Sequence, residues 1–168
     1  NTIAEGEVLQ LMNMHDPDLA IEDYLRVIRF KTARLFEASA RLGAILGGAD
    51  PALEETCASC GRALGTGFQL VDDLLDYGGN SDELGKNVGD DLREGKPTLP
   101  LLVAMNRGTA EDRALIRHAI EHGEVERLSD IVAIVRRTGA LDATREAAIA
   151  EGDHARLCLE ALPPGWAR

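Results

Sequence analysis

The stretch GFQLVDDLLDYGGNSDELGKNVGDDLREGKPTLP, Gly67 to Pro100, changes character at Tyr77. Before Tyr77 it is an apolar run carrying three carboxylates, Asp72, Asp73 and Asp76. After Tyr77 come glycines, further acids and two lysines, Lys86 and Lys96. The first half reads as the end of a helix. With Gln69 at zero on a wheel of ~100° per residue, Asp72 falls near about −60°, Asp76 near about −20° and Asp73 near about +40°. The four polar side chains share one arc, and Leu70, Val71, Leu74 and Leu75 take the opposite one. Like charges at this spacing repel. The C-terminal end of a helix, where the macrodipole is negative, adds a second penalty. A hard divalent cation would offset both. Mg2+ takes oxygen ligands, commonly one or two carboxylates with water and phosphate oxygens completing the shell. A solvated acidic face is the alternative on spacing alone.

Neighbouring residues extend the argument. Gly61, Gly65 and Gly67 fall inside the same helix, where each costs roughly 1 kcal/mol against alanine. Their use is to let another helix or a ligand come close. Lys86 and Lys96, flanked by glycines, suit a phosphate as mobile point charges. No nucleotide-binding glycine loop of the usual kinds is present. In the preceding helix an apolar stripe runs through Tyr24, Val27, Ile28, Leu35, Ala38, Leu42 and Ile45, with Arg26, Arg29 and Glu37 on other faces. Lys31 falls in that stripe. An inward lysine needs an internal carboxylate, an outward-reaching stem or an anionic ligand. The acidic helix needs a bridging anion, so the ligand is favoured.

Helical spacing recurs along the whole chain, and the expected helices lie at about 3–13, 20–47, 51–77, 98–106, 110–122, 124–138 and 140–161. Asp16-Pro17-Asp18 separates the first two. Asp50 and Pro51 supply an N-cap and a first helical residue. Gly123 and Gly139 sit where helix C-terminal caps belong. Gly78 to Lys96 is the one long irregular stretch, and such loops in compact domains are usually functional or disordered. The 168 residues suit one all-α domain with a real core. A net charge of −11 argues against nucleic acid or an anionic membrane surface as a non-specific partner. No apolar run reaches the ~20 residues of a membrane span. Three cysteines without a visible secretory signal point to a reducing compartment, the cytoplasm. Cys57 and Cys60 lack the second pair of a zinc site and read as packing residues.

These segments resemble the trans-prenyltransferase family, the polyprenyl diphosphate synthases. FQLVDDLLDY resembles the family's second aspartate-rich motif, YLRVIRFKTARLFEASARLGAIL its Lys-Thr segment, and LGKNVGDDLREGKPTLPLL the loop that follows the second motif. AEGEVLQLMNMHDPDLA fits the front. The wording is nearest to bacterial members that make the ubiquinone side chain. The resemblance implies an all-α, isoprenoid-synthase-type helical bundle around a central cavity, usually a homodimer. It implies Mg2+-assisted condensation of an allylic diphosphate with isopentenyl diphosphate. By the same resemblance Asp72 and Asp76 would be metal ligands with Asp73 supporting. Lys31 and Lys86 would contact the allylic diphosphate, Thr32 and Gln69 would flank the reacting chain, and Lys96 is a weaker substrate contact. Catalytic weight would rest on Lys31, Gln69, Asp72 and Lys86. The family's first aspartate-rich motif and its isopentenyl diphosphate site have no counterpart here. The whole chain, 1–168, is therefore expected to be the C-terminal half of a synthase, partnered by a missing N-terminal half. A non-catalytic regulatory or interaction subunit on the same fold is the alternative. Retention of Lys31, Asp72 and Lys86 favours the enzyme.

Overall fold

The computed structural model describes residues 1–78 and 89–162, which form helices joined by turns. Helix α1 (Thr2–Asn13) ends at a turn in which His15 takes a left-handed backbone conformation, φ 63°. Gly95 and Ile120 hold it there: the His15 amide donates to the Gly95 carbonyl at 2.8 Å, and its Nδ1 pairs with the Ile120 carbonyl at 3.0 Å. Helix α2 (Ile21–Ile28) then runs through a π-helical turn, Arg29–Ala33, into α3 (Arg34–Leu46). The sequence predicts one regular helix over 20–47, and the π-turn corrects its register. A π-turn takes one residue more per loop than an α-turn. The buried positions therefore run Tyr24, Ile28, then five residues on to Ala33, and on to Glu37. Lys31 leaves the inward stripe. Leu35, Leu42 and Ile45 turn out to solvent, with Leu42 59% exposed. Glu37 turns in and is held by Arg34 at 2.6 Å and by Arg62 of the next helix at 3.6 Å.

Glycines fix the π-turn from two sides. Gly6 of α1 lies so close that a Cβ there would stand 2.7 Å from the Phe30 carbonyl carbon. On helix α4 (Pro51–Gly78), a Cβ on Gly65 would stand 2.5 Å from the Ala33 Cα, and one on Gly61 2.5 Å from the Phe36 carbonyl oxygen. Gly61 and Gly65 thus serve helix–helix approach, while Gly67 has room for a side chain. Gly65→Ala is expected to lower stability by about 1–3 kcal/mol, because backbone rather than a flexible side chain must give way. A urea unfolding curve checks this, and a midpoint equal to wild type would show that α4 does not depend on that approach.

Asp50 caps α4 as expected, its Oδ1 accepting from the amides of Ala52 (3.0 Å) and Leu53 (2.9 Å). Along its length α4 lies between α3 and the long helix α9 (Ala140–Glu160). Cys60 and Ala63 pack against Ala155 and Cys158 there. Part of the stretch read as irregular forms one helical turn, α5 (Asp90–Arg93), opened by Gly89 at φ 82°. Helix α6 (Leu99–Arg107) is buried from Leu99 through Met105 and forms the centre of the core. Around it close α7 (Ala110–His122), capped by a reciprocal Thr109–Asp112 box, and α8 (Leu128–Arg137). Gly123 (φ 65°) ends α7, and Gly139 (φ 69°) joins α8 to α9. α8 begins four residues later than predicted, since Glu124 to Arg127 form the turn from α7.

The arc opposite the acids on α4 also departs from expectation. Leu70 is buried, but Leu64, Phe68, Val71 and Leu75 are exposed, Phe68 by 58%. Phe36 of α3 meets Phe68 at a ring separation of 5.7 Å. An apolar seam along α3 and α4 is therefore uncovered among the described residues. No helix among the described residues is long and apolar enough to cross a membrane.

Candidate functional site

The last turns of α4 send three carboxylates to three different environments. Asp73 is fully buried, 0% exposed. It accepts from the Tyr24 hydroxyl at 2.6 Å, from Gln69 Nε2 at 2.9 Å and from Lys96 Nζ at 3.2 Å. A buried carboxylate needs such partners, since unpaired burial of charge is prohibitive. Lys96, 14% exposed, reaches a second acid, Asp91, at 3.1 Å. Burial alone would push the Lys96 ammonium down; the carboxylates of Asp73 and Asp91 more than offset it and hold it above its usual range. Burial pushes Asp91 up to about 6, with Asp73 and Asp76 adding repulsion and Lys96 opposing. The Tyr24 phenol is raised for related reasons, burial first and the Asp73 charge second.

Asp76 turns to the backbone. Its two oxygens accept from the amides of Asp90 (3.2 Å) and Asp91 (3.3 Å), and its carbonyl accepts from the Gly89 amide at 3.1 Å. It thereby anchors the first turn of α5. Burial raises its carboxyl, and the two amides work against that shift. Asp72 is half-buried and accepts from Gln69 Nε2 at 3.2 Å. On the wheel it is the acid nearest the uncovered Phe68–Val71–Leu75 seam. Gln69 therefore touches two acids with one amide group. Its Oε1 accepts from Thr32 Oγ1 of the π-turn at 2.9 Å, which fixes the orientation of the amide.

Lys31, the other π-turn residue, is half-exposed. Its ammonium pairs with Glu7 Oε2 at 2.8 Å and donates to Gln10 Oε1 at 3.1 Å, both from α1. The inward position expected for it belongs to Ala33, because the π-turn shifts the seam. Thr32, Gln69, Asp72 and Asp73 come together as one hydrogen-bonded chain. Lys96 joins it from inside rather than from a loose loop. Lys86 lies outside the described residues.

The donor set fits a shared metal better than an enclosed one. No three or more His, Cys, Asp or Glu side chains among the described residues are grouped to hold an ion. Asp73 is fully buried, whereas Asp72 and Asp76 are half-buried and lie toward the rim, Asp76 accepting from two backbone amides. Mg2+ is commonly held by one or two carboxylates plus substrate oxygens, so this rim matches one wall of such a site.

Tyr24 and Asp91 belong to this hub without being expected there from the sequence. A tyrosine in a buried stripe does carry a signal, because its hydroxyl needs a partner when buried. Asp91 carries none, since its burial depends on how 89–98 folds back onto α4.

Comparison with known proteins gives concordant results. The polyprenyl synthetase family model matches residues 1–136. The chain is 54% identical to octaprenyl diphosphate synthase of Escherichia coli (strain K12), over 97% of this chain and 51% of that protein. A decaprenyl diphosphate synthase from Rhodobacter capsulatus superposes with a TM-score of 0.90 at 46% identity, over 98% of this chain and 51% of that one. A polyprenyl synthase from Caulobacter crescentus CB15, solved in complex with calcium and isoprenyl diphosphate, gives 0.91 at 44% identity, over 98% and 51%. The chain spans about half the length of the curated relatives it matches.

Proposed function

Because the chain belongs to the polyprenyl synthetase family, we propose that it is the C-terminal half of a Mg2+-dependent trans-prenyltransferase. The enzyme would condense an allylic diphosphate with isopentenyl diphosphate into a longer all-trans polyprenyl diphosphate. We propose octaprenyl diphosphate as the product, on the 54% identity to an octaprenyl diphosphate synthase, and the ubiquinone side chain as its use. The working protein would be a cytoplasmic homodimer containing the missing N-terminal half.

One observation carries this reading. Thr32, Gln69, Asp72 and Asp73 form a continuous hydrogen-bonded chain that runs from the exposed rim of α4 into its core. At the rim Asp72 would take Mg2+, with Asp76 one turn on. The ion, when bound, supplies Lewis-acid stabilisation of the leaving diphosphate. Lys31 and Lys86 would take the diphosphate oxygens and hold the negative charge that grows as the allylic C–O bond breaks. Gln69, fixed by Thr32, keeps the Asp72 carboxylate turned to the rim. Asp73 and Lys96 act from inside by locking α4, α2 and the 89–98 segment together. No protein nucleophile is required, because the double bond of isopentenyl diphosphate attacks the allylic carbon and a proton is then lost.

The test is Mg2+-dependent incorporation of labelled isopentenyl diphosphate, run on the full-length protein and on residues 1–168 alone. The full-length protein is expected to elongate the allylic substrate. The 168 residues should show no turnover, since one wall cannot neutralise the leaving charge, and should self-associate through the uncovered α3–α4 seam. Full-length protein that is folded but inert toward every allylic diphosphate would overturn the reading. So would a monomeric 168-residue chain with full activity.

A further inference from the structure

Lys31 does not wait for a ligand unaccompanied. Two residues of α1, Glu7 and Gln10, meet its ammonium at 2.8 Å and 3.1 Å. They stand three residues apart on one face of α1, and Gly6, next to Glu7, is where α1 touches the π-turn. The same helix thus grips the backbone of the turn and the head of its lysine. Gln10 also lines, with Tyr24 and Lys96, the narrow cavity between α1 and α2, which connects it to the Asp73 hub. The Lys31–Glu7 pair is part-exposed on both sides, 36% and 48%. Pairs so open to water contribute little to stability, so its use lies elsewhere.

An ammonium has three N–H donors. Glu7 takes one and Gln10 a second. We propose that Glu7 and Gln10 are positioning residues that hold the Lys31 side chain extended, with its third N–H kept for an oxygen of the allylic diphosphate. This rests on the reading above that Lys31 serves a diphosphate. A lysine stem is rich in rotamers, and ordering it at the moment of binding weakens affinity. Two acceptors on a helix clamped by Gly6 order it beforehand. A resting counter-ion that merely competes with substrate would need no neutral partner. Gln10, which supplies direction without charge, is the reason to prefer positioning to competition.

The experiment uses the full-length synthase with Glu7→Ala, Glu7→Gln, Gln10→Leu and Lys31→Met. Glu7→Ala and Gln10→Leu should each raise KM for the allylic diphosphate about two- to tenfold, with kcat nearly unchanged. Inhibition by inorganic diphosphate should weaken in step, and the melting temperature should hold. Glu7→Gln, which keeps an acceptor, should recover most of the loss. Lys31→Met should raise the same KM about tenfold or more. If Glu7→Ala tightens diphosphate binding, Glu7 is a competitor and the proposal falls. Loss in Lys31→Met with no change in Glu7→Ala and Gln10→Leu overturns the positioning role and leaves the lysine's role standing. No effect of Lys31→Met overturns both. A fall in kcat together with melting temperature marks a structural role and likewise overturns it. Gln10→Leu stands in where a Glu7 variant fails to fold.

Discussion

Asp73→Ala is expected to destabilise the fold by about 3–5 kcal/mol, the cost of removing one partner from a buried ion pair. The carboxylate is fully buried and three groups depend on it: the Tyr24 hydroxyl, the Gln69 amide and the Lys96 ammonium. Lys96 would keep Asp91 as a partner, but its charge would be left with one carboxylate instead of two. For a domain of this size the loss corresponds to a fall of roughly 6–20 °C in melting temperature, at about 2–4 °C per kcal/mol. Differential scanning calorimetry with and without Mg2+ reads it directly. A shift of less than about 2 °C, under 1 kcal/mol on the same scale, would mean that the hub does not hold the helices together. Asp73→Asn should fall between, because an amide can still accept from Tyr24 but meets Lys96 without a charge.

Its neighbour should behave in the opposite way. Asp72→Asn, in the full-length protein, is expected to cut turnover about a hundredfold or more, the scale seen when one electrostatic stabiliser of a developing anion is lost. The Mg2+ concentration needed for half-maximal rate should rise with it. Stability should be unchanged or slightly higher, because Asp72 is only half-buried and stands among like charges. Steady-state turnover over a Mg2+ series, beside a thermal melt, separates the two effects. Wild-type turnover with an unchanged Mg2+ requirement would remove Asp72 from the metal site. Two adjacent aspartates of one motif are thus expected to fail differently, one in stability and one in rate.

Much of the fold is legible in the chain, and the reason is local. Helix ends are marked by residues whose chemistry acts within a few positions: Asp50 at the head of α4, and Gly123 and Gly139 at φ values that glycine reaches without strain. The π-turn is not legible. It keeps helical composition, and nothing in RFKTA marks an added residue. What selects it is tertiary: Gly6 on one side and Gly65 on the other come close enough to fix the turn. The apolar stripe through Leu35, Leu42 and Ile45 is real as a pattern but belongs to the outside of this chain. A periodicity reports that a face is apolar and cannot say what covers it. The same limit explains the end of α4, where apolar residues flank the acids on two sides: Leu70 and Tyr77 meet the core, while Phe68, Val71 and Leu75 are exposed. Within the site, the grouping of Thr32, Gln69 and the aspartates follows from spacing and resemblance. The division of labour among Asp72, Asp73 and Asp76 follows from where α2 and the 89–98 segment pack, which spacing does not record.

The π-turn also constrains how this gene segment can change length. Between Ile28 and Ala33 the helix carries one residue more than an α-helix needs. Removing a single residue there would close the turn into ordinary α-helix: Ala33 would follow Ile28 by four positions instead of five, and Arg34 to Leu46 would keep the faces they show now. Glu37 would stay beside Arg62, and Ala33 beside Gly65. The loss would be local, in the placing of Lys31 and Thr32. A one-codon deletion within α3 has no spare residue to draw on, and would turn the rest of that helix by about 100°. Related chains should therefore tolerate a one-residue gap at Arg29–Ala33 in the fold, at the expense of the Lys31–Thr32 geometry, long before they tolerate one between Arg34 and Leu46.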